Sequence, residues 1–122
     1  MKKVFSYILT FFVVLSLVTV VSVTQAADSM TGTWRVNVQD PPDPRAAILT
    51  FILQQEGEQI VGTLHGPYGE KKVKGKIQGT DFELKYFSVI NITYKGKVES
   101  NKISGTVDFE NVGLRSFKGE KQ

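Results

Sequence analysis

Cysteine is absent from the chain, and histidine and tryptophan occur once each. The missing thiols exclude a disulfide framework, a thiolate metal site, a cysteine nucleophile and the lipid anchor of bacterial lipoproteins. With His65 alone, no second imidazole is available to complete a metal site or a relay. A Gly-x-Ser-x-Gly elbow is also lacking. His65 falls out of phase with Ile60, Gly62 and Leu64, so it reads as an exposed strand-end residue. Asp108 and Glu110 share an outer face, where solvated carboxylates are the ordinary finding. Catalysis needs convergent polar groups, and none is evident, so a non-enzymatic protein without a cofactor or metal is expected.

The single long apolar run is at the start. Lys2 and Lys3 precede Val4 to Val23, and Thr24-Gln25-Ala26-Ala27 places small residues around a cut after Ala26. Residues 1–26 therefore read as a cleavable signal peptide and 27–122 as one domain, secreted or periplasmic, with no stable membrane insertion after cleavage. An uncleaved anchor is the alternative, because the run is long enough to span a bilayer. Losing Lys2 and Lys3 leaves 13 basic against 12 acidic side chains, net +1. That balance gives no support to nucleic-acid binding. Lys72, Lys74 and Lys76 read as a solvated face.

No helical apolar period occurs beyond the leader; short alternating strands separated by turn residues occupy the rest. Gly32 to Val38 alternates Trp34, Val36 and Val38 against Arg35 and Asn37. Asp40-Pro41-Pro42-Asp43-Pro44 follows as a stiff loop. Ala46 to Gln54 is apolar on both faces, so it should lie centrally or be covered outside. Strands at Gln59 to His65, Lys72 to Gly79, Phe82 to Val89, Ile90 to Val98, Ile103 to Phe109 and Leu114 to Lys118 complete the series. The fold class is all-β: an eight-stranded antiparallel up-and-down meander closing into a small barrel. Gly62, Gly75, Gly96 and Gly105 fall in phase with the apolar face, which suits sharply coiled strands more than a carved lumen.

Thr31-Gly32-Thr33-Trp34 resembles the Gly-x-Trp signature of lipocalin and avidin-like barrels, and its Thr-Gly-Thr-Trp form is especially similar to the avidin first strand. As in lipocalins, the resemblance implies an arginine of the last strand covering the Trp at the closed end; Arg115 stands in that place. The Gly-Thr-Leu, Gly-Lys-Ile, Gly-Lys-Val and Gly-Thr-Val hairpins also resemble a secreted bacterial β-domain of unassigned function. The chain departs from avidins in having no other Trp to sandwich biotin, and from lipocalins in being short and lacking their helix.

In a meander, alternate connections share an end. The Pro-rich loop, Gly66 to Gly69, Ser88 to Asn91 and Glu110 to Gly113 fall together, opposite the compact polar turns and Trp34. That longer, more apolar end is the expected mouth, with Pro42, Tyr68, Phe87, Ile90 and Phe109 as rim and upper wall. The function expected is binding of a small apolar ligand, or of a peptide or exported protein partner, at this mouth. The alternatives are an inhibitor of a secreted hydrolase, with Asp40 to Arg45 as a wedge, and a structural domain without a ligand.

Overall fold

Eight antiparallel strands form one closed barrel in the computed structural model, which describes residues 29–122. They are β1 (Gly32–Val38), β2 (Ile48–Glu56), β3 (Gln59–Gly66), β4 (Gly69–Gln78), β5 (Asp81–Ser88), β6 (Ile90–Glu99), β7 (Lys102–Phe109) and β8 (Gly113–Lys121). Each pairs with the next in sequence and β8 pairs with β1, so the sheet has no free edge. The expected leader, residues 1–26, lies outside the described residues. Among the described residues no helix is long and apolar enough to cross a membrane. A single 3₁₀ turn, Pro44–Ala46, interrupts the β1–β2 loop.

The period-2 pattern determines which side chains point inward. On β1, Trp34, Val36 and Val38 are buried while Arg35 and Asn37 are exposed. Phe82 and Leu84 on β5, and Ile103, Val107 and Phe109 on β7, follow the same rule. Each buried large apolar side chain contributes roughly 1.5–3 kcal/mol, so the interior carries the fold in the absence of disulfides. On β2, Leu49, Phe51 and Leu53 are buried, but Ile48 and Ile52 on the outer face stay about half exposed. Barrel closure pairs both edges of β2 but covers only its inner face, so Ile48 and Ile52 remain an uncovered apolar strip.

Gly96 and Gly105 face each other across β6 and β7. A Cβ on Gly105 would fall on the Lys95 carbonyl oxygen, and one on Gly96 on the Ser104 carbonyl oxygen. The neighbouring backbones thus approach too closely for any side chain, which is how short strands coil tightly enough to close a small barrel. These glycines serve closure rather than opening the lumen.

Residues 29–31 fold across the end that holds Trp34. The Trp34 Nε1–H donates to the Met30 carbonyl oxygen at 2.9 Å, and the Met30 N–H donates to Gln55 Oε1 at 2.9 Å. Met30 and Trp34 are both fully buried. The cation above the indole is not Arg115, as the lipocalin resemblance implies, but Lys121, whose Nζ lies 5.1 Å from the ring centroid and donates to Ser29 O at 3.1 Å. Register explains the correction. Trp34 pairs with Lys121, and Val38 already pairs with Phe117, so Arg115 stands beyond Val38 at the opposite end of the barrel. β8 also runs three residues past Lys118, the end expected from its apolar residues.

Candidate functional site

The end opposite Trp34 holds a cavity of about 410 Å³. Strand parity places four connections around it: the β1–β2 loop, Pro67-Tyr68, Val89, and Glu110 to Val112. Leu49, Leu64, Ile92 and Phe109 form apolar walls, and Tyr86 contributes a phenol. The deeper core is closed by an aromatic cluster. Phe51 and Tyr94 meet edge to face at 5.2 Å, as do Tyr94 and Phe117 at 5.0 Å, and Tyr86 stacks on Tyr94 at 6.2 Å. Such pairs add about 0.5–1.5 kcal/mol each beyond burial. The lumen is therefore filled at the Trp34 end and open at the other.

Of the residues expected at the mouth, Pro42, Tyr68, Ile90 and Phe109 line the cavity. Phe87 does not. The β5 alternation that buries Phe82 and Leu84 turns Tyr86 inward and Phe87 outward, where it is 63% exposed. Tyr86 was legible by the same alternation, as the inward residue nearest the mouth. Lys71 was legible too, two residues before Val73 on the inner face of β4. Arg115 sits at this end, with Nε donating to the Asp40 carbonyl oxygen at 2.6 Å, and so ties β8 to the Pro-rich loop.

The loop folds back over the opening. Asp43 caps the 3₁₀ turn by accepting from the Arg45 N–H at 3.0 Å. Its other carboxylate oxygen accepts from Arg45 Nη2 at 2.9 Å and from the Tyr68 hydroxyl. The Arg45 guanidinium also lies 5.5 Å from the Tyr68 ring centroid. Hydrogen bonds from Arg45 hold the Asp43 carboxyl below its usual range. The clip joins the loop to the β3–β4 turn across the cavity, so Asp40 to Arg45 does not project as a free wedge.

Polarity is sparse inside. The Tyr94 hydroxyl is buried without a hydrogen bond of acceptable geometry, and the polar neighbour that acts on it is the Tyr86 hydroxyl. Burial pushes Tyr86 up to about 12, with the Tyr94 hydroxyl acting in the opposite direction, and burial pushes Tyr94 well above its usual 10. Both phenols are neutral near pH 7. In the unfolded chain they ionise near 10, so between about 10 and 12 the unfolded state binds fewer protons than the folded state. Stability contributed by Tyr86 is thus complete below pH 10 and is lost as pH rises to 12. A loss of roughly 2–3 kcal/mol is expected across that window from a shift of this size. Urea unfolding at pH 8.5 to 11.5 checks it: the wild-type midpoint should fall steeply and that of Tyr86→Phe less so.

Two exposed apolar side chains, Tyr68 and Val89, edge the cavity, whereas the turns at the Trp34 end are Gly57-Glu58, Gly79-Thr80 and Ser100-Asn101. Val89 is the one residue between the paired Ser88 and Ile90, with φ at 68°. A β-branched residue in that left-handed conformation is a backbone outlier costing on the order of 1–2 kcal/mol. It stands at the edge of the cavity and is 90% exposed.

His65 lies outside, with Nε2 3.8 Å from Glu70. No group of metal-ligating side chains occurs among the described residues. Lys72, Lys74 and Lys76 are exposed on the outer face of β4. No family model matches the chain, and no curated protein is similar to it. The molecule is defined by its architecture: a small antiparallel eight-stranded barrel, compatible with a calycin-like fold, plugged at one end and open at the other.

Proposed function

We propose that this is an exported, non-enzymatic binding module that takes one small apolar ligand in the cavity beneath the Pro-rich loop. The observation that carries the reading is the cavity itself, about 410 Å³ with largely apolar walls. That volume lies at the lower end of the roughly 300–1,000 Å³ of small-molecule sites. Two features support it. Exposed Tyr68 and Val89 edge the opening, and Val89 keeps a strained, solvent-facing conformation there, a cost that concentrates at functional sites. Compatibility with a calycin-like fold adds a precedent of architecture only, since fold does not specify function.

Titration with a neutral environment-sensitive dye, N-phenyl-1-naphthylamine, tests the reading. The wild type should enhance its emission saturably with one site. Ala46→Trp, which places an indole where Ala46 lines the cavity, should weaken binding at least tenfold while leaving the far-ultraviolet circular dichroism unchanged. Equal binding by the two proteins would remove the cavity as the site.

A further inference from the structure

We infer that the ligand is an amphipathic monoanion whose carboxylate is held by Lys71 at the mouth, with its apolar body in the cavity; this rests on the small-ligand reading above. Lys71 pairs with Leu64 across β3 and β4, and Leu64 is a buried inward residue. The lysine therefore springs from the inner face of the barrel, unlike Lys72, Lys74 and Lys76, and it lines the cavity while remaining only partly buried. Asp43 is the other charged residue of the lining, and its carboxylate is already engaged by the Arg45 guanidinium and the Tyr68 hydroxyl. Glu70, next to Lys71 in sequence, belongs to the outer face and is directed to His65. Among the described residues Lys71 has no ion pair, and it is the one cation of the cavity lining. Arg115, also without an ion pair at this end, is turned to the Asp40 and Leu114 carbonyl oxygens and does not line the cavity.

Chemistry then sets the ligand class. A single ammonium with three donors matches one carboxylate. Its four-carbon stem lets the head stay near solvent while the methylenes extend the apolar wall. The deep end offers the neutral Tyr86 phenol and no cation, so the charged group belongs at the mouth and the hydrocarbon inside. A half-buried charge pair is worth more than an exposed one because water screens it less.

Isothermal titration of the full chain with decanoate and with 1-decanol tests this. Wild type should prefer decanoate by about tenfold, and the preference should shrink in high salt. Lys71→Gln should bring decanoate down to the affinity of decanol without changing decanol binding, and Lys71→Arg should keep most of the preference. Equal affinities in the wild type, or a preference that survives Lys71→Gln, would overturn the anchor while leaving the cavity reading intact. Binding of neither probe would defeat both.

Discussion

Gly105→Ala is expected to destabilise the barrel by more than about 3 kcal/mol, and Gly105→Val to leave no cooperatively folded protein. The added Cβ meets the Lys95 carbonyl oxygen and crowds the Gly96 Cα, all of it backbone rather than the movable end of a side chain. Overpacking that displaces side chains costs typically 1–3 kcal/mol. Here β6 and β7 themselves must part, and the ladder hydrogen bonds of the flanking Lys95–Thr106 and Lys97–Ser104 pairs weaken with them. A domain of this length has a total stability on the order of 5–15 kcal/mol, so the loss is a large fraction. Urea-unfolding midpoints measure it. Gly57→Ala is the control: a Cβ there touches nothing within 4 Å, and only its φ of 63° opposes the change, for about 1 kcal/mol. A Gly105→Ala midpoint close to the wild type would show that the strands have room the structure denies them.

Trp34→Ala should cost about 3–5 kcal/mol, the range for removing a buried large aromatic side chain. Trp34 is fully buried beneath Met30, and its N–H holds the chain segment that seals this end. Removing the indole leaves a cavity, an unpaired Met30 carbonyl and Lys121 without its ring. As the single Trp in the sequence, Trp34 is also the fluorescence reporter. Lys121→Met should shift its emission with a stability loss of about 1 kcal/mol; Arg115→Ala should leave the emission unchanged, because Arg115 lies at the other end. An emission shift in Arg115→Ala alone would restore the lipocalin-like placement.

Much of this architecture is legible without coordinates because alternation and turn chemistry act locally. Trp34, Val36 and Val38 identify the inner face of β1, and the parity of an up-and-down meander then sends the Pro-rich loop and Tyr68 to the end away from Trp34. The errors have local causes as well. Phe87 invites placement in an apolar mouth by its size, but the phase set by Phe82 and Leu84 belongs to Tyr86. The tail Lys118-Gly119-Glu120-Lys121 carries no strand signal in composition. It becomes strand because Gly119 fits between Val36 and Ile103, where a Cβ would crowd both, and because Lys121 can lie along Trp34. That added length moves the register and takes Arg115 away from the indole. How far the lumen is filled depends on how Phe51, Tyr94, Phe117 and Tyr86 stack across it, and how far the mouth is covered on the Asp43, Arg45 and Tyr68 contacts; both are tertiary outcomes that periodicity does not encode.

Native mass spectrometry of the full chain, residues 1–122, purified gently without detergent, tests the cavity claim most directly. The wild type should carry a one-to-one small-molecule adduct that is lost from both Ala46→Trp and Ile90→Trp, each of which fills the mouth from a different element. A bare mass from the wild type, together with no saturable uptake of N-phenyl-1-naphthylamine, would contradict it.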